Sequence, residues 1–152
     1  MRFLHTAQRL LVAILVVAAC SSGAGVSAMP SARDAASPSV MATRIEVTLT
    51  DDLRIQPASM TVPVGEPITF IVTNAGANDH EFFLGDKAAQ AAHEKDMAEM
   101  GGMPHDEPAG IAVAPSQTRE LTYTFADHGE TIAGCHVPGH DAGGMRAIIA
   151  VV

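Results

Sequence analysis

Gly134–Met145 reads GCHVPGHDAGGM. Twelve residues hold a cysteine, two histidines and a methionine, interleaved with four glycines and a proline. The flanks decide what this stretch is. Gly129–Cys135 and Arg146–Val152 both have the apolar and β-branched character of strands. The segment is therefore read as a loop joining the last two strands, with Cys135, His140 and Met145 spaced five apart along it.

Upstream, the chain continues in the same manner. Ile45, Val47 and Leu49 alternate with Glu46, Thr48 and Thr50, the period of a half-buried strand. Leu53–Pro63 reads as a second, interrupted strand, because Pro57 and Pro63 mark edges or bends. Ile68–Thr73, ITFIVT, is a third strand. The loop NAGAN at Asn74–Asn78 leads into a short one at His80–Leu84. Ile111–Ala114 and Thr118–Phe125 follow. Many short strands between Pro and Gly turns predict an all-β sandwich or barrel. One stretch departs from this. Asp86–Met100, DKAAQAAHEKDMAEM, lacks Gly and Pro and predicts an inserted α-helix, with Asp86 as N-cap and Gly101-Gly102 as the stop.

The N-terminus points to export. Arg2 and Arg9 precede ten apolar residues, LLVAILVVAA, a signal-type core too short to span a bilayer. Val17-Ala18-Ala19-Cys20 resembles a bacterial lipobox, which makes residues 1–19 a signal peptide and Cys20 a lipidated first mature residue. The alternative is ordinary cleavage later, after Val26-Ser27-Ala28. Residues 20–43 are rich in Ser, Ala, Gly and Pro and read as a flexible tether, leaving 44–152 as the folded domain. The chain has 152 residues, 9 basic and 17 acidic; removing residues 1–19, with two Arg and no acid, takes the net charge from −8 to −10. That balance argues against nucleic acid as a partner. Two cysteines in an exported protein read by default as one disulfide; if Cys20 is lipidated or removed, Cys135 is instead a lone thiol in an oxidising compartment, a liability unless a metal binds it.

Thiolate, imidazole and thioether are soft or borderline ligands. Two His and one Cys with a weak axial Met describe a blue-copper site. The loop offers His140, so a second His must come from elsewhere. His80 shares a strand face with Phe82 and Leu84. That face is apolar, which turns His80 inward, where a metal would satisfy it. His136 follows Cys135 on extended backbone and points the other way. It is read as a non-ligand, either solvent-facing or supporting the ligands; an electron exit or a ligand to another metal are the alternatives.

With these residues in place the chain resembles the cupredoxins, the small blue-copper family of plastocyanin, azurin and rusticyanin. The pattern is an upstream His and then Cys-x4-His-x4-Met between the last two strands, here His80, Cys135, His140 and Met145. The resemblance covers roughly residues 44–152. It implies a Greek-key β-sandwich, one type 1 copper ion and no enzymatic activity. It also implies one-electron transfer between redox proteins such as cytochromes or oxidases by a monomeric carrier. The expected location is the periplasm or cell envelope, with membrane contact only through a lipid anchor. In many members Asn follows the upstream His and ties the ligand loops together; here that position is Glu81. Azurin's disulfide has no counterpart.

A second feature belongs to the insertion. His93, Met97 and Met100 lie at i, i+4 and i+7 of the predicted helix, and Met103 and His105 follow. This group reads either as a second, Cu(I)-binding site, which would suit a copper chaperone, buffer or tolerance factor, or as a Met-bearing face packed on the sandwich. His128, in a turn, reads as a surface residue.

Overall fold

The computed structural model describes residues 43–152. The expectations for the signal peptide, Cys20 and nearly all of the tether lie outside them. The described chain runs β1 Thr43–Thr50, β2 Arg54–Gln56, β3 Ser59–Val62, β4 Pro67–Asn74, β5 His80–Gly85, α1 Lys87–Glu99, β6 Gly110–Val113, β7 Thr118–Thr124, β8 Gly129–Gly134 and β9 Arg146–Val151. The strands form two sheets, ordered β2-β1-β4-β7 and β3-β9-β8-β5-β6. This is the Greek-key sandwich that the resemblance implies.

The single interrupted strand read at Leu53–Pro63 is two strands in different sheets. β2 pairs antiparallel with β1, and β3 runs parallel to β9. Pro57 and Ala58 carry the chain across, since proline cannot continue a ladder.

The core forms where the alternating faces meet. Val47, Leu49, Ile68, Phe70 and Val72 come from one sheet, and Phe82, Leu84, Ile149 and Val151 from the other. Phe70 meets Phe82 across the interface at 5.2 Å between ring centroids and meets the edge of Phe125 at 6.4 Å. Such tilted and edge contacts suit the ring quadrupoles.

β5 departs from simple alternation, being buried on both faces from His80 to Leu84. Its second face, Glu81 and Phe83, is covered by α1. The helix starts where Asp86 accepts the Ala89 N–H at 2.8 Å. It stops where Gly102 N–H reaches Met97 O at 2.7 Å, with Gly101 and Gly102 both at positive φ, a conformation that favours glycine. Its buried residues are Gln90, His93 and Met97. The inner face is therefore largely polar, which requires hydrogen-bond partners on the sheet. Gln90 Nε2 donates to Ile132 O at 2.8 Å and Phe83 O at 3.2 Å, and His93 stacks on Phe83 at 4.0 Å.

Candidate metal centre

Three side chains converge at one end of the sandwich. His80 opens β5, Cys135 directly follows β8, and His140 lies in the loop before β9. His80 Nδ1 is 3.2 Å from His140 Nδ1 and 3.9 Å from Cys135 Sγ, and His140 Nδ1 is 3.4 Å from Sγ. The point equidistant from these atoms is about 2.0 Å from each, within the range of metal–imidazole bonds and slightly short for a metal–thiolate bond. The donor set is one thiol and two imidazoles, with His80 and Cys135 fully buried and His140 half-buried. With both rings carrying their hydrogen on Nε2, the Nδ1 lone pairs would face one another, an arrangement that a cation relieves. The residues fit a borderline metal ion.

Met145 is fully buried. Its backbone N–H donates to His140 O at 3.0 Å, and its carbonyl accepts the Cys135 N–H at 3.2 Å. The loop thus closes on itself through the three residues spaced five apart. Gly144, at φ 87°, makes the turn before Met145, a conformation a β-carbon disfavours.

Without a cation, burial pushes the Cys135 thiol up to about 12, against the Glu81 and Val137 amides that favour the thiolate. Burial, reinforced by His80, lowers the His140 pKa, while Asp51 acts the other way. A desolvated thiol and a hard-to-charge imidazole together favour neutral ligands until a metal arrives.

The loop carrying His80 is held by two side chains, those of Asn74 and Asp51. The Asn74 side chain donates to Asn78 O and Val113 O, both at 2.8 Å, and accepts from Gly76 N–H. Asp51 accepts Ala77 N–H at 2.8 Å and Asn78 N–H at 3.3 Å. These amides hold its carboxyl down to about 2, the Ala77 bond most of all. Asp51 Oδ1 also lies 3.3 Å from His80 Nε2, in an alignment too poor for a hydrogen bond, and that nitrogen has no other partner.

Glu81 takes over the loop-tying position. Its N–H donates to Cys135 Sγ at 3.4 Å, and its carboxylate accepts the His136 N–H at 2.7 Å. The tie between the loops exists with glutamate in place of asparagine. The same carboxylate oxygen lies 3.1 Å from His93 Nε2.

His136 is absent from the converging group, and it does not face solvent either. It is 4% exposed, with Nε2 2.6 Å from Gln90 Oε1. The helix insertion covers it, something strand alternation by itself does not reveal. The Met/His group of the insertion is divided. His93 and Met97 are buried, whereas Met100 and Met103 are exposed. The His93 nitrogens lie against Glu81 and Glu107, and His105 Nε2 is 2.8 Å from Glu107. His128 is exposed.

Comparison with known proteins gives the class of fold and the family. No family model matches the chain. The structure of dithionite-reduced auracyanin from Roseiflexus castenholzii superposes with a TM-score of 0.66 at 24% identity, covering 73% of this chain and 98% of that one. The fold is that of the cupredoxins. Within that class, the copper-resistant cuproprotein CopI of Rubrivivax gelatinosus is 35% identical over 107 residues, 70% of this chain and 65% of the relative. The alignment thus spans a little under two thirds of that relative. CopI of Pseudomonas aeruginosa is 32% identical over an alignment of 177 positions, covering 95% of this chain and 97% of the relative. The chain belongs to the CopI family of copper-resistant cuproproteins.

Proposed function

We propose that this protein serves copper handling in the cell envelope, and that His80, Cys135 and His140 would hold one copper ion, with the Met145 thioether as a further, weaker donor. The observation that carries the reading is the convergence of two Nδ1 atoms and one Sγ at the buried end of a rigid sandwich. Copper held by such a set exchanges a single electron with its surroundings. The protein's own part is positional. Asp51 and Asn74 hold the His80 loop, and Glu81 ties it to Cys135. The self-closed loop keeps His140 and Met145 in register. The name of the relatives, copper-resistant cuproprotein, supports a tolerance role. So do Met100 and Met103, soft sulfur ligands exposed on the insertion.

Electron transfer is the second reading, with cytochromes or oxidases as partners. It is favoured by the half-buried edge of His140 beside Pro138, a route from the metal to the surface. In either role the protein works as an exported monomer without turning over a substrate, and Cys20 provides the lipid anchor.

The absorption spectrum of copper-loaded protein tests the centre. An intense thiolate-to-copper band that Cys135→Ser abolishes is expected; a copper-loaded wild type without that band refutes it. Host copper tolerance separates the roles. Cells lacking the gene should regain tolerance with the wild type, and less of it with Met100→Leu/Met103→Leu. Full rescue by that double variant favours the carrier.

A further inference from the structure

On the far side of Cys135, three more ligand-type residues meet. A ring nitrogen of His136 and carboxylate oxygens of Glu94 and Asp141 all lie within 4.8 Å of one another. The same three residues line two small clefts, of about 150 and 110 Å³, between α1 and the loop before β9.

The hydrogen bonding of His136 determines what it offers there. Gln90 uses its Nε2 to donate to Ile132 O and Phe83 O, so its Oε1 is an acceptor. His136 Nε2 lies 2.6 Å from that oxygen and must therefore carry the hydrogen. The neutral ring then has its lone pair on Nδ1, which is buried and has no hydrogen-bond partner. A ring whose free lone pair has no partner is thus grouped with two carboxylates, and unpaired buried polar atoms are rare and costly. Arg146 supplies one positive charge, but its guanidinium is engaged with both Asp141 oxygens at 2.8 Å. That contact orients the Asp141 carboxylate and leaves it further lone pairs.

We propose that Glu94, Asp141 and His136 through Nδ1 bind a divalent first-row transition ion of the Zn²⁺ or Cu²⁺ type, at a site separate from the His80–Cys135–His140 centre. One imidazole and two carboxylates form a borderline set with no soft sulfur, which selects a divalent ion over Cu(I). Gln90 fixes the tautomer, the role that a hydrogen-bonded partner plays for most metal-ligating histidines. Glu94 is exposed on the helix and free to close over the ion. The two sites share a peptide bond, because His136 directly follows Cys135.

Zn²⁺ is titrated by calorimetry into the copper-treated full-length protein, with the absorption spectrum followed throughout. One further equivalent is expected, leaving the spectrum unchanged. Its Kd should rise at least tenfold in Glu94→Gln and in Asp141→Asn. Glu94 is exposed, so Glu94→Gln keeps the fold, and its difference from wild type reads this site whether or not the principal centre holds copper. In the same titration with Cu²⁺, the added ion should give a resonance signal with coupling to one imidazole nitrogen, lost in His136→Gln. No further equivalent, or one whose affinity survives the Glu94→Gln/Asp141→Asn double variant, overturns the proposal.

Discussion

Cys135 and Asp51 show how far a neighbourhood can move one group in opposite directions. The Cys135 thiol, pushed up to about 12 by burial, keeps its proton at neutral pH in metal-free protein. Metal binding needs the thiolate, so loading at pH 7 should release about one proton per ion from this group. Calorimetry in buffers of different ionisation enthalpy measures that number, and Cys135→Ser should lose it. Asp51 is held down to about 2 by loop amides, against an ordinary 3.8. A depressed carboxyl stabilises the fold above its unfolded value, and that contribution disappears as pH falls from about 4 towards 2. Asp51→Asn should be less stable than wild type at pH 7, and the difference should shrink as pH falls below 4 and be lost below about 2. Urea midpoints across that range provide the check.

At the scale of elements, α1 is the part of the protein that does most to shape the site beyond the strands. Gln90 connects it to β5, β8 and the His136 ring at once. Gln90→Ala leaves the Ile132 carbonyl and the His136 Nε2–H unpaired, at about 1–3 kcal/mol for each buried group. Chemical denaturation should register the loss, and Gln90→Glu should recover the His136 bond alone. The end of the helix meets the ligand loop directly. A β-carbon on Gly102 would collide with Pro138 Cγ, at a φ of 76° that only glycine adopts easily. Gly102→Ala should therefore lower the melting temperature and also move Pro138, shifting the absorption of the copper-loaded centre. An unchanged spectrum would mean that the loop is held without the helix.

For the whole molecule, the two sheets make a frame held by apolar packing between their facing sides, with the centre built into one end. Phe70 sits at its middle, and Phe70→Ala should cost about 3–5 kcal/mol, with or without metal. Metal adds stability by mass action, about 4 kcal/mol at a free concentration a thousandfold above Kd. Thermal melts of metal-free and copper-loaded protein should differ by a rise in Tm that Cys135→Ser largely removes.

The sequence by itself determined the sandwich, the helix and the residues to consider for the centre. Period-two alternation in Ile45–Leu49 and Leu121–Phe125 is a local property, and so are the Asp86 cap and the Gly101-Gly102 stop. His80 was legible because it shares a strand face with Phe82 and Leu84, and Cys135, His140 and Met145 because they lie on one loop. Tertiary structure alone decided the rest. The passage of Leu53–Pro63 from one sheet to the other depends on which strands accept each half. The tie made by Glu81, the clamp made by Asp51 and the burial of His136 under Gln90 join residues 26 to 55 positions apart. No local period encodes such pairings, because what selects them is the requirement that buried polar groups find partners once the helix closes over the sheet.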